Sequence, residues 1–340
     1  MREEYPVSRL MQLKSDARRW KRALSLCYDK AMQRTYAILG TGALGGFYGA
    51  RLQHAGLAVH FLLHSDYDHV RQHGLVCESV DGNFTLPRVH AYRDPRDMPR
   101  CDVVCVTLKT TQNHLLPTLL PHVAKNDSLI LVMQNGLGNE DVAAAIVGSH
   151  RVAGGLCFLC SNKTGPGHIC HLDYGYVRLG NHTGGVTDRL RAIAADFQRA
   201  GINAECVPDL AAARWRKLVW NIPYNGLSVV LNATTDQLMR DPHTRALVEA
   251  LMREIAPCEP TITDDFIQKM LCDTDKMKPY KTSMMLDYEA HRPMEIEAIY
   301  GNPLRAAQRA GVAVPLLETL YRQLKFLDAA NTYPSPISSS

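Results

Sequence analysis

The chain has 340 residues, of which 46% are hydrophobic and 21% charged, a composition typical of globular proteins long enough for two domains. Its excess of basic residues lies in positions 1–35, which hold nine Lys or Arg against four Asp or Glu, whereas the rest of the chain holds 29 basic and 30 acidic residues. This balance argues against a nucleic-acid partner, and no stretch approaches the roughly 20 apolar residues of a membrane-spanning helix.

The first 34 residues differ in pattern from everything that follows. They contain a basic cluster at positions 18–22, but Glu3, Glu4 and Asp16 argue against a transit peptide, and no secretory hydrophobic segment follows. We expect a mobile arm, or a true start at Met32, with contact to an anionic surface as the alternative. Ten cysteines in this setting favour reduced thiols and a cytoplasmic location.

From Tyr36 onward, short apolar strands alternate with helical stretches. A strand at 36–39 precedes a Gly-rich turn and a helix to about residue 55, and a second strand follows at 58–63. Further strands are predicted at 102–108 and 128–133, and helices at 115–124 and 139–147. Alternation of this kind predicts a parallel sheet covered on both faces by helices.

The turn after the first strand reads Gly-Thr-Gly-Ala-Leu-Gly, the spacing typical of a dinucleotide-binding turn. Gly40 permits the tight turn, Gly42 lets the backbone approach a pyrophosphate, and Gly45 lets the helix pack on the strand. The helix N-terminus then offers unpaired N–H groups to phosphates. The predicted cofactor-binding residues here are Gly40, Thr41, Gly42, Ala43, Leu44 and Gly45.

The end of the second strand favours NADP over NAD. NAD enzymes usually carry Asp or Glu at this position to hold the ribose 2′-hydroxyl. This chain has His64 and Ser65 there, and Asp66 comes two positions late. Because His64, Ser65 and Arg71 can approach a 2′-phosphate, we predict His64 and Ser65 as cofactor contacts and keep NAD as the alternative.

Residues 151–182 contain several Gly and alternating apolar positions, which predict antiparallel or mixed strands. Cys157 and Cys160 lie here, with His168, Cys170 and His171 nearby, and this set raises the question of a zinc site. The Cys-x-x-Cys pair lies in an apolar run typical of a buried strand, where the two thiols do not converge. We therefore interpret these cysteines as buried apolar side chains and predict no metal.

After about residue 209 the strand signals end, and helices are predicted at 210–230, 242–255, 264–271, 295–310 and 316–326. The predicted fold is therefore α/β, with an N-terminal Rossmann-type dinucleotide-binding domain and an all-helical C-terminal domain. The predicted boundaries are an arm at 1–34, a Rossmann-like domain at 35–208, a helical domain at 209–330 and a disordered tail at 331–340.

The first helix of the second domain carries Lys217, Asn221 and Asn225, spaced by four residues and hence on one helix face. Pro223 removes one N–H group, and we expect it to kink the helix near Val219. Such a polar face is either solvated or part of a binding site, and spacing alone leaves both interpretations open.

Five dispersed segments together resemble the ketopantoate reductase (2-dehydropantoate 2-reductase) family. In order they are the Gly-rich turn at 40–46, Thr-Leu-Lys at 107–109, Gln-Asn-Gly at 134–136, Trp-Arg-Lys with two later Asn at 215–225, and Glu-Ile-Glu-Ala-Ile-Tyr-Gly-Asn at 295–302. The resemblance covers about residues 36–328. It implies NADPH-dependent reduction of 2-ketopantoate to pantoate on the route to pantothenate and coenzyme A.

The resemblance also implies roles for individual residues. Lys217 resembles the catalytic lysine, which stabilises the oxyanion and donates a proton. Glu295 resembles the acidic partner near the nicotinamide and is expected to orient Lys217. The implied substrate contacts are Asn135, Asn221, Asn225 and Ser283, and the implied cofactor contacts include Lys109, Asn135 and Glu295.

Three positions depart from the family pattern. His64 stands where the family often has an Arg that pairs with the 2′-phosphate, Thr235 stands where a substrate-binding Asn is expected, and Pro223 is unusual within the catalytic helix. Two alternatives therefore remain: a reductase for another branched 2-keto acid, and a non-catalytic NADP-binding regulator. A small-molecule substrate is the expected partner, and a homodimer is an open possibility because helical second domains of this size can dimerise.

Overall fold

A computed structural model describes residues 34–332 of the chain. The predictions for the N-terminal arm and for most of the tail lie outside these residues. The last described helix, Pro315–Thr332, includes the first two residues of the predicted tail. Asn331 helps to fix this end, because its amide nitrogen donates to the carbonyl oxygen of Tyr288 at 2.8 Å.

The described strands form one ten-stranded mixed sheet. The strands are β1 (Thr35–Leu39), β2 (Ala58–Leu62), β3 (Leu75–Ser79), β4 (Phe84–Leu86), β5 (His90–Tyr92), β6 (Cys101–Val106), β7 (Ala124–Val132), β8 (Val152–Gly165), β9 (His168–Asn181) and β10 (Ala204–Cys206). Their order is β4-β3-β9-β8-β7-β6-β1-β2-β5, and β10 pairs with β9. Strands β5, β2, β1, β6, β7 and β8 run parallel, whereas β8 and β9 form an antiparallel pair, as the sequence predicts for these regions.

Strand β1 shows why the parallel sheet lies at the centre of the fold. Its side chains alternate between two apolar cores: Tyr36 and Ile38 pack in one, Ala37 and Leu39 in the other. All four are at most 1% exposed. Helices must therefore cover both faces, and the carboxyl ends of the parallel strands are left as the edge where ligands bind in such folds.

The described α-helices are α1 (Ala43–His54), α2 (Tyr67–His73), α3 (Leu116–Val123), α4 (Asn139–Val147), α5 (Asp188–Arg199), α6 (Leu210–Val230), α7 (Thr235–Arg240), α8 (Pro242–Ile255), α9 (Asp264–Asp275), α10 (Ser283–Glu289), α11 (Asn302–Arg309) and α12 (Pro315–Thr332). After β10 the described chain contains helices and no strand. The α/β fold class with an all-helical C-terminal domain is therefore confirmed.

Helix α6 is the central element of the helical domain. The carboxylate of Asp209 caps it by accepting from the N–H of Ala212 at 3.0 Å. The helix continues through Pro223 to Val230, and its Val219, Ile222 and Tyr224 are fully buried in the domain core. This packing explains why the proline, whose missing N–H leads us to expect a kink, does not end the helix.

The predicted helix at 295–310 differs from the structure in its first turns. Residues Glu297–Gly301 form a short π-helix, and the α-helix begins only at Asn302. Pro303 accounts for the change, because it lacks the N–H that would bond one turn back and its ring crowds the carbonyl there. Widened turns of this kind are frequent near functional sites.

Candidate active site

A cavity of about 1240 Å³ lies at the carboxyl edge of the parallel sheet, between the Gly-rich turn and the helical domain. The walls come from the turns after β1, β2, β6 and β7, from residues 156–161 and 163 of β8, and from helices α6 and α9. Its size exceeds that of most drug-sized ligand pockets, so it can hold a dinucleotide together with a small substrate.

The Gly-rich turn has the conformation that a dinucleotide requires. Gly40 has a φ of +102°, and a Cβ there would lie 2.7 Å from the backbone nitrogen of Leu108. Gly42 is the N-cap of α1, has no side-chain cap, and faces open space, since a Cβ added there would meet no atom within 4 Å. Ala43 and Leu44, at the uncapped N-terminus of α1, line the cavity, and the turn fits a pyrophosphate.

The other residues of the turn have supporting contacts. The hydroxyl of Thr41 donates to the carbonyl of Leu62 at 3.0 Å, so it fastens the turn to β2. Gly45 does not line the cavity; a Cβ there would collide with the carbonyl of Gly40 and the hydroxyl of Thr107. Its contribution is close helix–strand packing, as the motif predicts.

Two glycine variants distinguish the role of the turn in stability from its role in ligand binding. We expect Gly40→Ala to destabilise the protein by about 1–3 kcal/mol, because alanine is strained at this φ and its methyl meets backbone atoms. Gly42→Ala should leave thermal stability unchanged but weaken NADPH binding by about tenfold, or 1.4 kcal/mol. Thermal melts and fluorescence titrations check both; equal melting temperatures for the two variants would contradict this account.

The end of β2 lines the cavity through His64 and Ser65, and both side chains are exposed. Asp66 is only 6% exposed and is already engaged. Its carboxylate accepts from Lys163 Nζ at 2.7 Å, from Ser65 Oγ at 3.0 Å and from the N–H of Gly167 at 3.0 Å. Asp66 lines the cavity, but its carboxylate is not free, unlike the ribose-binding acid that an NAD enzyme usually has.

Lys217 lies in the wall of the cavity, on helix α6. Its ammonium group donates to Asn135 Oδ1 at 2.8 Å and to the backbone carbonyl of Cys157, and lies 5.2 Å from the ring centre of Phe158. Burial lowers the pKa of Lys217 to about 8; the nearby charge of Arg214 acts in the same direction, and Glu295 acts against it. A lysine in this environment is poised to donate a proton near neutral pH.

The expectation that Glu295 orients Lys217 directly is wrong for this structure. The carboxylate of Glu295 accepts from the N–H of Thr110 at 2.9 Å and lies 3.5 Å from Lys109 Nζ. Lys109 also donates to Asp287 at 2.6 Å. The amine of Lys217 is held by Asn135 Oδ1 and the backbone carbonyl of Cys157, so Glu295 acts on Lys217 only through its charge.

The acids around Lys109 connect the two domains. Lys109 follows β6 in the N-terminal domain, whereas Asp287 and Glu295 belong to the helical domain, and both acids are at most 5% exposed. Burial opposes the charged form of Lys109, but the two carboxylates outweigh it and raise its pKa. A charged Lys109 in the wall of the cavity is consistent with the predicted cofactor contact.

The predicted substrate contacts converge on the cavity beyond Lys217. Asn221, Asn225 and Ser283 all line it. Within residues 34–332 their side chains make no hydrogen bond, although Asn221 and Asn225 are at most 6% exposed. The polar atoms of the two asparagine side chains stay accessible and have no protein partner among these residues, so they can hydrogen-bond a polar ligand in the cavity. Thr235, by contrast, is buried outside the cavity lining.

Sequence patterns alone miss several residues of this site. Arg214 forms a buried ion pair with Glu140 and donates to the carbonyl of Gln134 at 2.7 Å, which ties α6 to the end of β7. Phe158, on β8, lies beside Lys217. Only the position of Arg214 beside the Trp-Arg-Lys segment offers a sequence signal, and Phe158 offers none.

The two cysteines of the Cys-x-x-Cys pair lie in strand β8, as predicted. Cys157 and Cys160 are buried, and burial raises the pKa of both thiols to about 11. Across residues 34–332, no three His, Cys, Asp or Glu side chains come together as a metal-binding group. The backbone carbonyl of Cys157, not its thiol, is the group that contacts Lys217.

Comparison with known proteins matches both halves of the chain to one family. Residues 36–184 match the family described as Ketopantoate reductase PanE/ApbA, and residues 209–328 match its C-terminal region. A 2-dehydropantoate 2-reductase from Nostoc sp. is 60% identical over 308 residues, which cover 88% of this chain and 97% of that protein.

Solved structures agree with this assignment. The 2-dehydropantoate 2-reductase from Geobacter metallireducens superposes with a TM-score of 0.84 at 41% identity, covering 86% of this chain and 99% of that one. The enzyme from Methylococcus capsulatus gives a TM-score of 0.80 at 34% identity, covering 88% and 99%. The chain therefore belongs to the ketopantoate reductase family.

Proposed function

We propose that this chain reduces the keto group of 2-dehydropantoate to the hydroxyl group of pantoate with NADPH, and that Lys217 is the proton donor. The observation that carries the proposal is the ammonium group of Lys217, held by Asn135 in the wall of a cavity that also contains the dinucleotide turn. The Nostoc relative, named 2-dehydropantoate 2-reductase and 60% identical, supports the choice of substrate.

The residues of the cavity suit this chemistry. NADPH held at the Gly-rich turn would supply a hydride for the carbonyl carbon of the substrate, and negative charge would then develop on the carbonyl oxygen. Lys217 stabilises this charge and donates a proton to the oxygen. Hydrogen bonds to the carboxylate and hydroxyl groups of the substrate come from Asn221, Asn225 and Ser283. Such polar contacts discriminate strongly against 2-keto acids that lack these groups.

The pH dependence follows from the pKa of Lys217. Its lowered value, about 8, means that the donor is protonated below this pH and loses its proton as the pH rises through it. We therefore expect kcat/KM for the keto acid to be level at neutral pH and to fall about tenfold per unit above pH 8. Steady-state rates from pH 6 to 10 measure this; a profile that stays flat beyond pH 9.5 would exclude Lys217 as the group titrated.

A substrate and cofactor panel tests the proposed function. NADPH and NADH are each offered with 2-dehydropantoate, with other branched 2-keto acids and with an aromatic 2-keto acid, and absorbance loss at the nicotinamide band is followed. The proposal predicts the highest kcat/KM for NADPH with 2-dehydropantoate. Preference for another keto acid would identify a different reductase of the family, and binding of NADPH without any turnover would identify a regulator.

Location and assembly are further parts of the proposal. Among the described helices, none is both long and apolar enough to span a membrane. We propose a cytoplasmic enzyme that acts as a homodimer; one structural neighbour, at 21% identity, is described as a dimeric ketopantoate reductase from Staphylococcus aureus. Light scattering on the full-length chain measures the mass directly, with twice 37.9 kDa expected.

A further inference from the structure

The end of β2 lacks the arginine that the family often uses for the 2′-phosphate of NADPH, yet a basic side chain stands beside it. Strands β2 and β5 are parallel neighbours, with Leu62 opposite Tyr92, and the N–H of Leu63 donates to the carbonyl of Tyr92 at 2.9 Å. Arg93 therefore lies directly next to the position where dinucleotide-binding folds recognise the ribose 2′ group.

Arg93 has the exposure and the free donors that phosphate binding needs. It lines the cavity together with His64 and Ser65, and its side chain is 59% exposed. One guanidinium nitrogen, Nη2, donates to Asp68 at 2.6 Å, and within the described part of the chain the other two nitrogens make no hydrogen bond. Because Asp68 is 74% exposed, this surface ion pair is weak and leaves the guanidinium able to bind a phosphate.

The competing ligand at this position is the unphosphorylated ribose of NAD, which an acidic side chain would hold. Asp66 is the first acid after β2 in the chain and lines the cavity, and both of its oxygens are occupied by Lys163, Ser65 and the N–H of Gly167. Lys163 also lines the cavity and adds positive charge there. The local chemistry thus favours a phosphate monoester over a ribose diol.

We propose that Arg93 binds the 2′-phosphate of NADPH in this chain, replacing the arginine missing at position 64, and that Lys163 keeps Asp66 from binding the ribose. This inference rests on the proposed use of NADPH. It assigns cofactor preference to a residue after β5, whereas the usual determinant lies after β2.

Binding of adenosine fragments to the full-length protein tests the inference without any turnover. Calorimetry with 2′,5′-ADP and 5′-AMP measures the contribution of the 2′-phosphate in each variant. The wild type should bind 2′,5′-ADP more tightly than 5′-AMP. Arg93→Ala should weaken 2′,5′-ADP about 10- to 100-fold, as expected for loss of a charge-assisted hydrogen bond, and change 5′-AMP by less than about threefold.

Arg71→Ala is the matched control. Arg71 carries the same charge and, like Arg93, lies over the ring of Tyr67. Contrary to the expectation from the sequence that it approaches the 2′-phosphate, Arg71 does not line the cavity. Its loss should change 2′,5′-ADP binding by less than about threefold. An equal loss in both variants would mean that only the general positive field matters, and an equal loss of 5′-AMP in Arg93→Ala would mean that Arg93 contacts adenine instead.

Asp66→Asn tests the second half of the inference. If Lys163 keeps this carboxylate from the ribose, the variant should bind 5′-AMP as the wild type does; a tenfold loss would overturn this part. A wild type that binds both fragments equally would overturn the whole inference. Failure of the proposed reaction looks different: fragment preference would follow the prediction while no 2-keto acid is reduced.

Discussion

Replacing Lys217 by alanine is expected to lower kcat with 2-dehydropantoate by about 10²- to 10⁴-fold, the range typical of a lost general acid. The variant also loses the charge that stabilises the developing oxyanion, so the upper part of this range is expected. NADPH binding should survive, because the dinucleotide turn at 40–45 is built from β1 and α1 and does not depend on Lys217. Stopped-flow NADPH oxidation and a fluorescence titration measure the two effects.

Two further lysine variants test whether the loss of activity is specific to the amine of Lys217. Lys217→Arg keeps the positive charge but cannot release a proton near neutral pH, so its rate should lie between those of the wild type and Lys217→Ala. Lys269→Ala removes an exposed lysine from the wall of the same cavity, where it pairs with Asp273, and should change kcat by less than about threefold. Comparable losses at positions 217 and 269 would refute a specific role for Lys217.

Replacing Arg214 by alanine is expected to reduce the free energy of unfolding by about 3–5 kcal/mol, the cost typical of breaking a buried ion pair. Arg214 is 2% exposed and Glu140 is 5% exposed, so the variant would leave a carboxylate buried without its partner. It would also remove the hydrogen bonds to the carbonyls of Val132, at 3.0 Å, and of Gln134, at 2.7 Å. Urea unfolding measures the loss.

The double variant Glu140→Gln with Arg214→Met is the control for this prediction. It removes both charges while it retains much of the volume, and should recover at least half of the lost stability. If Arg214→Ala were as stable as the wild type, the buried pair would not hold α6 against the end of β7. In that case, the ion pair could not be what brings Lys217 on α6 to within 2.8 Å of Asn135 after β7.

Much of this architecture follows from sequence periodicity. Helices at 139–147, 210–230 and 242–255 are predicted with the bounds that the structure shows, because each combines a periodic apolar face with a clear start or stop. The prediction misses several short strands and helices, each three to seven residues long: β3, β4, β5, β10, α2, α7 and α10. Such short segments carry too few residues for a period to be read, and pairing with distant strands decides their structure.

The sequence predicts which residues line the site better than it predicts which of them contact each other. Strand ends predict Asn135 at the ligand edge, since the carboxyl ends of parallel strands meet there, and the family resemblance implies that Lys217 and Asn221 join it; all three line one cavity. Which acid pairs with which lysine depends on side-chain directions across two domains. Glu295 therefore contacts Lys109, and Asn135 contacts Lys217, in an arrangement that one-dimensional spacing does not contain.

A crystal structure of the protein with NADP⁺ and pantoate tests the central claim most directly. The account predicts that Lys217 Nζ lies within hydrogen-bonding distance, about 2.7–3.2 Å, of the C2 hydroxyl oxygen of pantoate, with the nicotinamide ring on the opposite side of C2. If the hydroxyl group were instead bound by another side chain, with the ammonium of Lys217 more than about 5 Å away, Lys217 could not be the proton donor.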